Sequence, residues 1–207
     1  MSAIKEISWE ILPLEAPIYI KRCSKCKNNN RFYNSSKFRM NNQKKNSDVW
    51  LIYKCIECDN TFNITILSRI KWHLIDKNLF DKFIDNDYDT ALRLSLDQEI
   101  IYKNHIQIDY DSIEYEIRAD SDMLFEDMVF LDKEEVRISI KYPYNLNLKL
   151  SRVIREKLNL SLNKLELMID SGIICIDPME NIKKERIKDN TILTIKNRML
   201  TADMFDK

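Results

Sequence analysis

Two pairs of cysteines constrain the fold of this chain more than any other feature of its sequence. The pattern is C-x2-C-x28-C-x2-C, and its members are Cys23, Cys26, Cys55 and Cys58. Two thiolates three positions apart can face one point from a tight turn, and two such turns supply the four soft ligands of a tetrahedral zinc ion, with Zn–S distances near ~2.3 Å. The spacing therefore predicts a structural Zn2+ site.

Other roles for these cysteines fit the sequence less well. A thioredoxin-type dithiol begins a helix, whereas the helix-poor stretch KNNN follows Cys26. A catalytic zinc needs an open coordination position and usually a His or carboxylate ligand, but His73 and His105 are not in a paired spacing. A disulfide frame is disfavoured because we expect a cytoplasmic protein, whose thiols stay reduced.

The expectation of a cytoplasmic location comes from what the sequence lacks. The N-terminus has no basic start followed by an apolar signal core. The longest uncharged apolar run, VWLIY, is far shorter than the ~20 residues that span a bilayer. We therefore predict no membrane association.

β-Prone stretches run into and out of the two cysteine pairs, as they do in a zinc ribbon. These stretches are APIYIKR, SKFRM, DVWLIYK and TFNITIL. The polar NNQKKNS between the second and third stretches predicts a hairpin turn. We therefore assign residues 1–75 to an N-terminal zinc ribbon.

The charges divide the chain into three parts, although its formal net charge is zero. Residues 1–75 carry 13 Lys and Arg against 6 Asp and Glu, residues 76–140 carry 7 against 18, and residues 141–199 carry 12 against 7. Clustered cations are typical of proteins that bind nucleic acid, whereas uneven charge alone is weak evidence for any partner.

The acidic middle, residues 76–140, predicts helices followed by strands. Asp76 is suited to cap a helix that buries Phe83, and YDTALRLSLDQEII predicts a second helix. Alternating stretches then predict strands in HIQIDYD, IEYEIRA and VRISIKY. The carboxylates have no partnering base or phosphate-binding glycine loop, so we expect a solvated acidic face and no enzyme activity.

Residues 141–207 predict two helices, a glycine stop and a β-hairpin. Leu150, Val153, Ile154 and Leu158 lie on one face of the first helix, and Ser161 is suited to cap the second. Gly172, the single glycine of the chain, falls where a helix ends in the left-handed conformation. The strands of the hairpin are predicted in IICID and TILTIK, and Cys175 in the first of them is expected to be a buried small hydrophobe.

Three stretches resemble an uncharacterised bacterial family, domain of unknown function 1062. They are WEILPLEAPIYIKRCSKC, FYNSSKFRMNN and DVWLIYKCIECDNTFN. The resemblance covers essentially the full chain and implies a fold that includes the cysteine pairs. It implies no reaction.

The C-terminal part also resembles the alpha-L RNA-binding motif. Lys149-Leu150-Ser151 stands where that motif commonly has Arg-Leu-Asp, and Ser171-Gly172-Ile173 matches its glycine step. The resemblance and the local charge together predict a phosphate-binding face. Its members are Lys149, Arg152, Arg155, Lys164, Lys183, Lys184 and Arg186. The alternative is a helical pair and hairpin that serve only as core, with their charges in water.

These observations predict an α+β protein with a zinc ribbon (1–75), an acidic α+β region (76–140) and an alpha-L-like module (141–207). The predicted function is non-catalytic binding of structured RNA, ribosomal or transfer RNA, which is recognised by shape and phosphate. The alternative function is a protein-interaction adaptor whose acidic middle docks a basic partner. Nothing in the sequence points to a small-molecule substrate.

Overall fold

The computed structural model describes residues 4–43, 46–121, 125–131, 134–177 and 185–200. These residues form ten strands and five α-helices in two sheets. The strands are β1 (Ile4–Pro13), β2 (Tyr19–Arg22), β3 (Asn29–Gln43), β4 (Asn46–Cys55), β5 (Thr61–Lys71), β6 (Gln107–Ile108), β7 (Tyr115–Ala119), β8 (Glu135–Lys141), β9 (Ile174–Asp177) and β10 (Thr191–Lys196). The helices are α1 (Lys77–Asp85), α2 (Tyr88–Ser95), α3 (Gln98–Lys103), α4 (Leu150–Leu158) and α5 (Leu162–Asp170). The predicted α+β class is confirmed.

The chain divides into two compact units rather than the three predicted segments. One unit is Pro13–Glu114, and the other combines Met1–Leu12 with Tyr115–Lys207. The N-terminal residues join the second unit because β1 pairs in parallel with β8, a strand far along the chain. In this pairing Ile7 lies opposite Ile138. Neither the predicted boundary after residue 75 nor that after residue 140 coincides with this division.

The Pro13–Glu114 unit is built on a five-stranded sheet in the order β5-β4-β3-β2-β6. The four β-prone stretches around the cysteines all lie in strands of this sheet, as predicted. Its core includes Tyr19 and Tyr53, whose fully buried rings stack at a centroid distance of 4.0 Å. The Tyr19 hydroxyl donates to the carbonyl of Ser95 and the Tyr53 hydroxyl donates to the carbonyl of Pro17, so the aromatic pair brings no unsatisfied hydroxyl into the core.

Strand β3 is much longer than the SKFRM stretch that predicted it. It includes a bulge between Asn34 and Lys37, where Ser36 adopts φ +53°. The side-chain oxygen of Asn34 accepts from the Ser36 backbone N–H at 2.7 Å and holds the extra residue in place. The polar residues at the start of β3, Asn29, Asn30 and Arg31, pair with β2, and this tertiary pairing overrides their weak strand propensity.

Three aspartates begin the three helices of this unit. Asp76, Asp87 and Asp97 accept backbone N–H groups of α1, α2 and α3 at 3.0, 2.9 and 3.1 Å. The predicted cap at Asp76 is confirmed. The prediction of one helix over YDTALRLSLDQEII is wrong, because α2 ends at Ser95 and Asp97 caps a separate helix, α3.

The second unit is built on a five-stranded sheet in the order β7-β1-β8-β10-β9. The apolar residues of β1, β8 and β10 alternate with polar ones, and Ile138, Ile140 and Leu193 are fully buried. The alternate residues face away from that core. The sheet therefore has one apolar and one polar face.

Helices α4 and α5 precede the β9–β10 hairpin, as predicted. Ser161 accepts the Lys164 backbone N–H at 3.2 Å and caps α5. Gly172 follows α5 at φ +71°, the left-handed conformation expected of the single glycine. Among the described residues, no helix combines the length and the apolar character that crossing a membrane requires.

Candidate metal centre

The strand pairing brings the two cysteine turns to the same end of one sheet. The first turn joins β2 to β3, and the second joins β4 to β5. Because β3 and β4 are antiparallel, with Phe32 opposite Cys55, the start of β3 lies beside the end of β4. Cysteines about thirty positions apart in sequence thereby become neighbours.

The two turns have the same backbone geometry. The N–H of Cys23 donates to the carbonyl of Asn28 at 2.8 Å, and the N–H of Cys55 donates to the carbonyl of Asn60 at 2.9 Å. The carbonyls of the same two cysteines accept N–H groups from the residues four positions later, at 2.8 and 2.9 Å. The two turns therefore present their thiols in equivalent ways.

The sulfur atoms have the spacing of a tetrahedral site. The Sγ atoms of Cys23 and Cys58 are 3.6 Å apart, and those of Cys26 and Cys55 are 3.9 Å apart. All four lie within 4.8 Å of one another. A tetrahedron with metal–sulfur distances of ~2.3 Å has edges of about 3.8 Å. The two measured separations lie on either side of that value, so the four thiols are compatible with one metal ion.

Nitrogen donors surround one of the sulfurs. The Cys26 backbone N–H lies 3.4 Å from Cys23 Sγ, and the Asn60 side-chain amide lies 3.8 Å from it. The same amide donates to the Ser24 hydroxyl at 3.1 Å, so Asn60 links the second turn to the first. Donors of this kind orient a thiolate ligand and stabilise its charge.

The metal-free thiols do not share one pKa. The Cys26 backbone N–H lowers the pKa of Cys23 to about 6, whereas the hydrogen bond with the Cys58 thiol raises the pKa of Cys26 to about 12. Burial raises the pKa of Cys55. One thiolate is therefore available near neutral pH, and the protons of its neighbours must leave when a cation binds.

The donor set consists of sulfur alone. Among the described residues, these four cysteines are the one group of three or more potential ligands that comes together. His73 and His105 are exposed and lie outside it. Cys175 is also outside, and its Sγ lies 3.7 Å from the carbonyl of Gly172.

The basic residues predicted to bind phosphate are brought together only in part. Lys149 and Arg186 are direct antiparallel partners, and both are exposed. Arg152, one turn along α4, is exposed with its guanidinium 5.3 Å from the centre of the Tyr115 ring. Arg155 donates from Nε to the carbonyl of Leu160 at 3.2 Å.

Of the three remaining members of the predicted phosphate-binding set, one is half-buried and two lie outside the described residues. Lys164 is half-buried in the first turn of α5. Lys183 and Lys184 lie outside the described residues. The cluster that the structure describes is therefore centred on Lys149, Arg152 and Arg186.

Sequence reasoning missed the part that Asn60 has in the cysteine site. The signal was present, because both turns carry Asn five positions after the first cysteine, in CSKCKN and CIECDN. Only the second of these asparagines places its side chain against a cysteine sulfur.

A family model described as a protein of unknown function (DUF1062) matches residues 40–180, more than half of the 207-residue chain. The matched range contains Cys55 and Cys58 and begins after Cys23 and Cys26. The evidence that all four thiols form one group is therefore the set of distances between them in the structure, and not the family match. No curated protein and no solved structure matches the chain.

Proposed function

This chain belongs to the DUF1062 family of proteins of unknown function, and we propose that it is a non-catalytic binding protein for structured RNA with a structural zinc ion. The zinc would be held by Cys23, Cys26, Cys55 and Cys58, which makes the cysteine-bearing end of the Pro13–Glu114 sheet a zinc ribbon. Four thiolates fill a tetrahedral shell and leave no position for a substrate or a reactive water. The role of the metal is therefore to hold two turns of one sheet together.

Zinc is preferred to other cations because of the donor set. Sulfur ligands in a tetrahedral arrangement select zinc or iron and disfavour the oxygen-seeking Mg2+ and Ca2+. Elemental analysis of protein purified under reducing conditions distinguishes the two candidates. We expect one zinc per chain, whereas one iron per chain or folded protein without metal would contradict the assignment.

The proposal of RNA binding rests on one observation, the pairing of Lys149 with Arg186. Their strand-like pairing and the position of Arg152 one turn into α4 place three exposed cations on backbone that is held by hydrogen bonds. The Leu150 N–H donates to the Glu185 carbonyl at 3.1 Å, and the Ile187 N–H donates to the Leu148 carbonyl at 3.0 Å. Fixed cations of this kind suit the phosphates of a folded RNA, which is recognised by shape and backbone.

The order of elements supports the same proposal. Helices α4 and α5, the glycine stop at Gly172 and the strands β9 and β10 follow one another as they do in the alpha-L motif that the sequence resembles. The local excess of Lys and Arg over residues 141–199 has the sign that an RNA partner requires.

A salt-dependent binding experiment tests the proposal. Fluorescence anisotropy with a labelled hairpin RNA is measured at about 50 and 200 mM salt, because each phosphate contact releases counterions and steepens the salt dependence. We expect Lys149→Glu with Arg186→Glu to weaken binding and flatten the salt slope. Lys103→Glu with Arg93→Glu, an equal change of charge at exposed positions of α3 and α2, is the control and is expected to have little effect.

A second candidate function is supported by a different surface. In α1 and α2, Ile84 and Tyr88 are 56% and 48% exposed, and exposed carboxylates stand beside them at Asp81, Asp85 and Asp89. Apolar side chains within an acidic surface suit a basic protein partner. If wild-type protein fails to bind RNA at low salt, this adaptor function becomes the better proposal. Ile84→Lys would then be expected to abolish capture of the protein partner.

A further inference from the structure

The polar face of the β7-β1-β8-β10-β9 sheet carries an open cavity of about 380 Å³. Six polar side chains line it: Glu6, Ser8, Asp120, Arg137, Ser139 and Lys141. All of them belong to one unit of the chain. The volume lies within the ~300–1,000 Å³ typical of small-molecule sites.

The strand register separates the charges within this cavity. On β1 and β8, Glu6 lies opposite Arg137 and Ser8 lies opposite Ser139. The Asp120 N–H donates to the Ser8 carbonyl at 3.1 Å and keeps the second carboxylate on the β1 side. The carboxylates thus lie on one side of the cavity and the two cations of β8 on the other.

These opposed charges are not in direct contact with one another. Within the part of the chain that the structure describes, no ion pair joins Glu6 or Asp120 to Arg137 or Lys141, and Arg137 instead contacts Glu135 of its own strand at 3.5 Å. The hydroxyls of Ser8 and Ser139 likewise have no hydrogen bond to a described residue. The side chains of Glu6, Asp120 and Lys141 and the two hydroxyls therefore have no partner among the described residues, and Arg137 has one exposed contact with Glu135.

We propose that this cavity binds a small zwitterion of the free amino acid class. Its carboxylate would lie against Arg137 and Lys141, and its ammonium group against Glu6 and Asp120. A simple anion would be repelled by the two carboxylates, and a simple amine by the two cations, so a molecule with both charges fits best. Ile192 is 41% exposed and lines the same cavity, which suits an aliphatic side chain on the ligand.

Calorimetric titration of the full-length, metal-loaded protein with L-leucine tests this proposal. Isocaproate lacks the ammonium group of leucine, and isoamylamine lacks its carboxylate. We expect leucine to bind and each of the two analogues to bind about three- to tenfold more weakly, because each loses one set of charged contacts.

Two variants test whether leucine binds in this cavity. Lys141→Met and Glu6→Gln are each expected to weaken leucine binding about three- to tenfold. Lys196→Met on β10 and Glu116→Gln on β7 change the same charges at sheet positions outside the cavity and should leave binding unchanged. Circular dichroism confirms that each variant is folded. Absence of leucine binding by the wild type, binding of either analogue as tightly as leucine, or equal effects of cavity and control variants would overturn the proposal.

Discussion

Lys27 and Asp59 occupy equivalent positions, four residues after the first cysteine of each turn, and both adopt the left-handed conformation, with φ +60° and +55°. The N–H of each donates to the carbonyl of that cysteine. Asp tolerates this conformation because its short polar side chain can bond locally, whereas Lys does not have that advantage. The first turn is therefore the more strained of the two.

Replacing Lys27 with glycine should stabilise the protein. Removal of the Cβ atom relieves the left-handed strain and offsets the greater freedom of glycine in the unfolded chain, for a net gain of about 1 kcal/mol. Denaturant unfolding at a fixed zinc concentration measures this gain. Lys27→Ala is the matched control, because it removes the same charge and keeps the Cβ atom. An equal gain from the alanine variant would show that charge, and not backbone strain, is responsible.

The side chain of Asn60 should contribute to metal affinity although it is not a ligand. Loss of its contacts with Cys23 Sγ and Ser24 Oγ in Asn60→Ala is expected to weaken zinc binding about tenfold. Competition with a chromophoric chelator measures the affinity. Asn28→Ala changes the equivalent residue of the other turn, which takes part through its backbone carbonyl, and should have little effect. Equal losses in both variants would contradict this difference.

Metal binding should depend on the four paired cysteines and not on the fifth. Cys55→Ser removes a fully buried sulfur from the cluster and is expected to lower zinc content and destabilise the Pro13–Glu114 unit. Cys175→Ala, in the other unit, should retain one zinc per chain. Zinc content and thermal unfolding of the two variants test this. Loss of zinc in Cys175→Ala alone would show that the ligand set is wrong.

Zinc binding should release protons and strengthen as the pH rises. Near neutral pH Cys23 is already ionised, because its pKa is about 6, whereas Cys26 and Cys55 have raised pKa values and remain protonated. At least these two protons must leave when zinc binds, so affinity should fall steeply between about pH 8 and pH 7. Below the pKa of Cys23 one more proton competes, and the fall should become steeper.

Calorimetry in two buffers of different ionisation enthalpy measures the number of protons released. A value below two per zinc would mean that Cys26 or Cys55 is ionised before the metal arrives. A value independent of pH through the pKa of Cys23 would contradict the low pKa of that thiol.

Local features could be predicted from the sequence because they depend on residues close together in the chain. The strands around the cysteines, the caps at Asp76 and Ser161 and the left-handed Gly172 follow from propensity, capping and backbone freedom. The spacing of the two C-x-x-C turns also predicted that the four thiols come together, although the pairing of β3 with β4 is what makes the two turns neighbours.

The break between α2 and α3 could not be predicted from the local sequence alone. Their apolar residues continue one helical pattern across the break, and the cap formed by Asp97 separates them. A single Asp is compatible with a helix interior or with a cap, and the tertiary packing decides between the two.

Which strands form a sheet together was decided only by the tertiary structure. The sequence predicts a strand in VRISIKY but does not say that the N-terminal strand β1 lies beside it, and this pairing assigns residues 1–12 to the second unit. The charged cavity follows from the same pairing, because it sets Glu6 opposite Arg137. Parallel pairing between distant segments depends on register and on burial of a shared apolar face, and neither is encoded within a short stretch of sequence.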